Sequence, residues 1–268
     1  MFKIMNNIYN FQDVIVTTYY SSNIGNYKGR SILNNDFQYI SPWYNSVLKL
    51  KLNGIIFHDG LSNDFIKKYT TNNIKFIYND PDKFLYSKND QRFLIYYKFL
   101  KYNKNIKNIF MTDGNDVIIR NDPFNYIVDN NNKHKKDFYY VCSEYRRKLK
   151  DNNFTKFNFI RINHYIKNPD KKFKIKTFDK NKDNILFNAG ILGGNRNNML
   201  YFLRLMNEKL NNTFKYIPKQ LHDRNINMIV FNYVLYDIID ENKIVTGYPL
   251  HSRFTRYEKR NDVIFSHK

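Results

Sequence analysis

Two carboxylates three residues apart, Asp113 and Asp116, follow an apolar run in Ile109-Phe110-Met111-Thr112-Asp113-Gly114-Asn115-Asp116-Val117-Ile118-Ile119. Open α/β sheets bind their ligands beyond the carboxyl ends of strands, which is where this spacing puts the acidic oxygens. Such a pair can hold a hard divalent cation. A cation that also takes two diphosphate oxygens stabilises the charge growing on a departing nucleotide. A plain turn competes with this reading, because Asp-Gly and Gly-Asn are ordinary turn formers. A calcium loop starting at Asp113 does not: Ile118 stands where that loop wants Gly, and Phe124 where it wants a bidentate Glu. On these residues alone, turn and metal site stay level.

Phe187-Asn188-Ala189-Gly190-Ile191-Leu192-Gly193-Gly194-Asn195 is the second segment that could do chemistry. Its glycines lack dinucleotide spacing, and no Gly-Lys-Ser/Thr follows to make a phosphate loop. Glycines here permit close backbone approach to a ligand, and Asn188 offers both donor and acceptor to sugar hydroxyls. The competing reading is a strand-to-helix turn with small residues for packing. Cys142, the sole cysteine, lies in the apolar run Phe138-Tyr139-Tyr140-Val141-Cys142 and reads as a buried structural thiol rather than a nucleophile. A single cysteine allows no intrachain disulfide and suits a reducing compartment.

The elements that must position these residues alternate. Asp13-Val14-Ile15-Val16-Thr17-Thr18-Tyr19 is a β-branched first strand. Ser41-Pro42 reads as an N-cap and first-turn proline for a helix carrying Trp43, Val47 and Leu50. Strands are expected at 54–58, 74–78 and 108–112, with a helix between the last two capped by Asn89 or Asp90 and burying Phe93, Tyr96, Tyr97 and Leu100. This alternation predicts a largely parallel α/β sheet. A strand at 139–143 precedes a Lys- and Asn-dense stretch, 146–184, read as a variable surface insertion within a single domain spanning 1–268. Then come the apolar run Ile185-Leu186-Phe187, a helix with Met199, Phe202, Leu203 and Met206 on one face, and a nearly all-apolar helix over 223–239. A short closing strand is Val263-Ile264-Phe265.

Of the 268 residues, 42% are hydrophobic and 18% aromatic, which argues for a packed core despite a mean hydropathy of −0.66. The net charge of +20 fits a nucleic-acid binder, but the charge is spread along the chain. Solvated Lys and Asn filler explains it without a nucleic-acid partner, and the positive field still attracts an anionic nucleotide. No apolar window reaches the length of a membrane span, and Met1-Phe2-Lys3-Ile4-Met5 lacks a signal-peptide core, so a cytoplasmic location is expected.

Taken together, the acidic motif with its following Asn121-Asp122-Pro123-Phe124, the Phe187-Asn188-Ala189-Gly190-Ile191-Leu192-Gly193-Gly194 segment, and Met228-Ile229-Val230-Phe231-Asn232-Tyr233-Val234-Leu235 resemble, in order and spacing, three motifs of GT-A glycosyltransferases. The resemblance covers roughly 14–267, and its Asp-x-x-Asp form is similar to that of collagen hydroxylysine glycosyltransferases and their viral relatives. It implies a Rossmann-like, mostly parallel GT-A sheet and transfer of a hexose from a UDP-sugar to a protein or glycan acceptor, with the anomeric configuration retained. It further implies Mn²⁺, or Mg²⁺ in its place, held by Asp113, Asp116 and His267. Thr17, Thr18 and Tyr19 would lie by the nucleotide, with Tyr19 stacked on the base or buried in the sheet. Asn188, Ala189 and Gly190 would line the sugar, and Arg92 and Lys268 would meet phosphates. Catalysis would fall to Asp113, Asp116 and Asn188. The chain departs from many relatives at Asn227, where they carry an acidic residue, and Asp223 reads as a simple N-cap. A catalytically silent sugar-nucleotide-binding module is the alternative that this departure supports.

Overall fold

The computed structural model describes residues 10–21, 35–80, 86–151, 162–167, 183–219, 222, 225–252, 260 and 262–267. Lys268, Asp223 and the 152–161 and 168–182 parts of the expected insertion lie outside the described residues.

Strands β1 (Asp13–Tyr19), β2 (Gly54–His58), β3 (Ile74–Tyr78) and β4 (Asn108–Thr112) run parallel in the order β3-β2-β1-β4. Every residue of β2 is buried, as expected of a parallel strand covered on both faces. Past β4 the pairing reverses. β7 (Ile185–Asn195) lies antiparallel to β4, β6 (Tyr139–Lys148) antiparallel to β7, and β8 (Ile244–Val245) parallel to β6, completing a seven-stranded sheet. β5 (Val117–Ile119) and β9 (Phe265–His267) form a separate antiparallel pair.

The period of two in the strands divides the core. Val14, Val16, Ile55 and Phe57 face helices α3 (Lys88–Tyr102), α5 (Arg196–Phe214) and α6 (Asn227–Asp237), meeting Phe93, Tyr96, Phe202 and Phe231. Ile15, Ile56 and Phe110 face the other way, onto Trp43 and Val47 of α1 (Phe37–Lys49), Phe65 of α2 (Asn63–Tyr69), Phe124 of α4 (Pro123–His134), and Phe265. Among the described residues, no helix is long and apolar enough to cross a membrane.

Five elements differ from expectation at a boundary or cap. Helix α1 starts one turn early, at Phe37, because Asp36 caps it through Gln38 N at 2.9 Å. Pro42 therefore lies inside the helix, and its missing N–H is replaced by the Ser41 hydroxyl, which donates to Gln38 O at 3.2 Å. Helix α3 is capped by Ser87 rather than Asn89 or Asp90. Asp90 is instead wholly buried and caps a different helix, accepting Ile226 N at 3.1 Å and Asn227 N at 2.7 Å at the start of α6. β6 and β7 reach further than the apolar runs suggest: β6 extends to Lys148, into the stretch read as an insertion. The whole glycine segment lies within the eleven residues of β7. The closing strand is shifted to Phe265–His267.

Candidate functional site

The acidic loop is clamped at both ends by α1. Trp43 Nε1 donates to Thr112 Oγ1 at 2.8 Å where β4 ends, and Ile119 N donates to Ser46 Oγ at 3.1 Å in β5. Asp113 N continues the ladder onto Gly190 O at 2.9 Å. Gly114 presses on Thr17: a Cβ there would lie 2.9 Å from Thr17 Oγ1 and 2.7 Å from Ile40 Cδ1. Asp122, just beyond, serves as the N-cap of α4 through Phe124 N at 2.8 Å, which gives the Asp-Pro-Phe sequence a structural reason.

His267 arrives from β9, where Val117 is its antiparallel partner. It is 3% exposed and is placed by strand pairing, not frayed. Ligand atoms of Asp113, Asp116 and His267 all lie within 4.8 Å of one another, with His267 Nε2 3.8 Å from Asp116 Oδ1. Divalent metal–ligand bonds of about 2.0–2.6 Å fit between atoms so spaced, and two carboxylates with one imidazole are a donor set for Mn²⁺ more than for Mg²⁺. Burial pushes the His267 pKa down to about 4, against the pull of Asp113, so the imidazole is neutral near pH 7, the form that ligates a metal.

The glycine segment serves this histidine. A Cβ on Gly190 would meet His267 Cε1 at 2.3 Å and Nε2 at 2.7 Å, so only glycine leaves room for the ring. Gly193 likewise yields its Cβ space to Phe110, 2.2 Å from where that atom would stand. At both positions the space of the missing Cβ is taken by a side chain of the protein itself. The register against β6 jumps from Val141↔Leu192 to Cys142↔Asn188, leaving Ala189, Gly190 and Ile191 without β6 partners. This bulge turns Gly190 O to Asp113 and Ala189 O to Arg92 Nη2, the latter at 3.1 Å.

Arg92, on α3, is 7% exposed and hydrogen-bonds Asp113 Oδ1 through Nη1. Burial opposes its charge, but Asp113 above all holds its pKa above the usual range. It is therefore seated on a carboxylate of the acidic pair. Asn188 spends both ends of its amide within the protein, accepting Gly190 N at 2.7 Å and donating to Glu144 Oε1 at 3.2 Å. Tyr19 is the buried sheet aromatic of its two readings. It is 0% exposed, rings Tyr39 and Phe65 lie 5.0 and 6.2 Å away, and its hydroxyl accepts Asp36 N and donates to Asp36 O, each at 2.9 Å. Thr17 is buried and Thr18 partly so.

Sequence reasoning missed three residues here and one contact of a fourth. Glu144, 8% exposed on β6, reaches Asn188, and no spacing signals it. Lys88, 8% exposed at the start of α3, has Nζ 3.9 Å from Asp59 Oδ2. Tyr39 lies close enough to Asp113 and Asp116 that burial, reinforced by their charges, raises its phenol pKa. Cys142 is wholly buried, as expected, but its sulfur lies 3.2 Å from His267 Nδ1. Burial, together with Asp113, Glu144 and Asp116, pushes its thiol pKa well up, so it is not a nucleophile. The late helix offers no carboxylate of its own at Asn227, which is 4% exposed; Asp90 fills that end as a cap.

No family model and no curated relative matches the chain. Among solved structures, an active-site mutant of LgtC is similar, with a TM-score of 0.54 at 13% identity over 95% of this chain and 86% of that one. The galactosyltransferase LgtC in complex with donor and acceptor sugar analogs gives a TM-score of 0.52 at 13% identity over the same shares of the two chains. Mixed α/β layers, a mostly parallel sheet and these neighbours together give the chain the GT-A glycosyltransferase fold.

Proposed function

We propose that the chain, acting as one unit over 1–268, is a metal-dependent glycosyltransferase that moves a hexose from a UDP-sugar to a protein or glycan acceptor with retention. The observation that carries this reading is the convergence of Asp113, Asp116 and His267 within 4.8 Å at the carboxyl end of β4. That end is where an open α/β sheet receives its ligand. LgtC, whose fold the chain shares, is a galactosyltransferase solved with donor and acceptor sugar analogs. When bound, Mn²⁺ supplies positive charge for the diphosphate leaving group.

Asp113 and Asp116 present carboxylates about 28–29% exposed, so they are open to a cation from solvent, while His267 is held from behind by the sheet. Arg92 keeps Asp113 oriented through its guanidinium and stands ready to meet donor oxygens. Asn188, fixed by Glu144 and Gly190 N, sets the edge of the sugar pocket beside Ala189. Support for a nucleotide at the neighbouring strand ends comes from Thr17 Oγ1 and Asn79 Nδ2, which are buried without a hydrogen bond among the described residues. Buried donors left unmet cost about 1–3 kcal/mol each, and a phosphate or base acceptor would relieve them.

A thermal-shift panel of nucleotide sugars, with and without Mn²⁺, tests the reading, because a ligand specific to the native state raises the melting temperature. The expected result is a rise with one UDP-hexose in Mn²⁺ and little with the metal or the sugar nucleotide alone, followed by hydrolysis or transfer of that sugar. A flat panel at millimolar concentrations in Mn²⁺ would discard the activity.

A further inference from the structure

We propose that Cys142 is the positioning residue for His267: its sulfur accepts the proton-bearing Nδ1 and leaves the Nε2 lone pair aimed at the acidic pair. The inference rests on the metal-site reading above and adds to it a residue from another strand. Cys142 Sγ lies 3.2 Å from His267 Nδ1, and the two residues are 0% and 3% exposed, so water does not compete for this contact. On the far edge of the ring, Nε2 lies 3.8 Å from Asp116 Oδ1.

A thiol can donate or accept, and the surroundings decide which. The Ser143 carbonyl lies 3.9 Å from Cys142 Sγ and offers the thiol hydrogen an acceptor. With the hydrogen directed there, the sulfur turns lone pairs to Nδ1, and Nδ1 is the donor. A neutral imidazole carries a single N–H, so Nε2 is the bare nitrogen. Histidines that ligate metals have the other ring N–H held by a partner that fixes tautomer and orientation. Carboxylates and carbonyls are common partners. Here Asp113, Asp116 and Glu144 already act on residue 142, and a further anion would add to their repulsion. An uncharged sulfur holds the proton without that cost. Gly190 meanwhile supports the ring itself, since a Cβ there would lie 2.3 Å from Cε1. Thus Gly190 sets where the imidazole lies, and Cys142 sets which nitrogen faces the carboxylates.

The test reads the tautomer directly in the metal-free full chain, by long-range ¹H–¹⁵N correlation of the histidine rings, with His267→Gln identifying the signal. The wild-type chain is expected to carry the His267 proton on Nδ1. Cys142→Ser, whose hydroxyl is the stronger donor, is expected to shift the proton toward Nε2. Cys142→Ala removes the acceptor altogether. Calorimetric titration with Mn²⁺ is then expected to show affinity falling by about 10-fold or more in both variants, while the His58 and His251 signals stay in place. An Nε2–H tautomer in the wild-type chain overturns the proposal. So do an unchanged tautomer and unchanged Mn²⁺ affinity in the two variants. If the wild-type chain binds no Mn²⁺ while the tautomer still follows residue 142, the metal-site reading fails and the Cys142–His267 assignment stands.

Discussion

The parallel ridge β1–β4 and the antiparallel region formed by β6, β7 and the β5–β9 pair meet along the end of β4, and different kinds of contact assemble them. In the ridge, β1, β2 and β3 are each followed by a helix, and its helix termini are mostly capped by residues next in sequence, as Asp36 and Ser62 show. In the antiparallel region, the partners come from far along the chain. Val117 pairs with His267, Cys142 stands opposite Asn188, and Asp113 N bonds Gly190 O. The ridge supplies the place and two of the ligands. The antiparallel region supplies the third ligand and everything that orients it. The placing of the third ligand should therefore respond to mutations in the antiparallel region and not to those in the ridge, which makes the comparison breakable.

The largest expected effect falls on the acidic pair. Asp116→Ala should lower Mn²⁺-dependent UDP affinity by more than about 100-fold while leaving the melting temperature close to that of the parent, since removing a direct ligand exceeds the cost of disturbing an outer partner. Calorimetry with UDP and Mn²⁺ measures it, and undiminished binding would take the cation away from this loop. Asp113→Ala carries a further penalty, because it leaves buried Arg92 without its partner.

Gly190→Ala tests the antiparallel region on its own ground. The new methyl must displace the His267 ring, so a loss of about 10-fold in Mn²⁺-dependent UDP affinity is expected, with about 1–3 kcal/mol of overpacking strain. Gly193→Ala, which strikes Phe110 instead, should lower the denaturation midpoint by a similar margin without a selective metal defect. Equal metal defects in the two variants would erase the distinction. The same geometry sets what a C-terminal truncation should do. Removing His267 takes away a paired, 3%-exposed strand residue, so ligand-free stability should fall along with metal affinity.

Asp90 is the ridge's own long-range tie, and it sharpens the comparison. Asp90→Ala should lose about 2 kcal/mol in urea unfolding, from a missing cap and buried N–H groups left unmet at the start of α6. Metal affinity in the folded protein should stay near its parent value. A metal defect like that of Gly190→Ala would mean that α6 belongs with the site.

A pH dependence is expected at His58, where β2 ends. Burial pushes its pKa down to about 4 from 6.5 in the unfolded chain, and Leu61 N donates to its Nδ1 at 3.2 Å. Between those values the unfolded chain holds the proton and the folded one does not. The contribution is therefore complete above pH 6.5 and is lost as pH falls toward 4, by about 1.4 kcal/mol per pH unit within that window. The stability difference between the wild-type chain and His58→Gln should shrink accordingly over that range. A constant difference from pH 7 to 4.5 would show that the imidazole is not held neutral.

The same division explains what could be read from the sequence. Asp13–Tyr19, Gly54–His58, Ile74–Tyr78 and Asn108–Thr112 were legible to the residue, because β-branched runs between polar turns carry their own pattern. Ser41-Pro42 misled because the competing cap, Asp36, lies one turn earlier and a side-chain hydroxyl tolerates the proline. Asp113 and Asp116 were visible as a motif, whereas His267 needed a family resemblance, since no local pattern joins residue 267 to residue 116. Glu144, Lys88 and the Cys142 contact were invisible for the same reason. Their roles depend on register and on which strand lies beside which. The glycines were seen, but their beneficiaries, Phe110 and His267, are side chains far off in sequence.

The β5–β9 pairing also sets a timetable. Residues 113–119 leave the ribosome early and can join the parallel ridge through contacts with α1. His267 can take its place only after the chain through residue 267 has been made and has closed the long loop back to Val117. Such closures are slow steps, because their entropy is lost before the contacts that reward them form. During synthesis and refolding, the ridge can thus be native while the acidic pair still lacks its imidazole. The capacity to bind a cation should appear after most of the helical and strand signal, as the last event of folding.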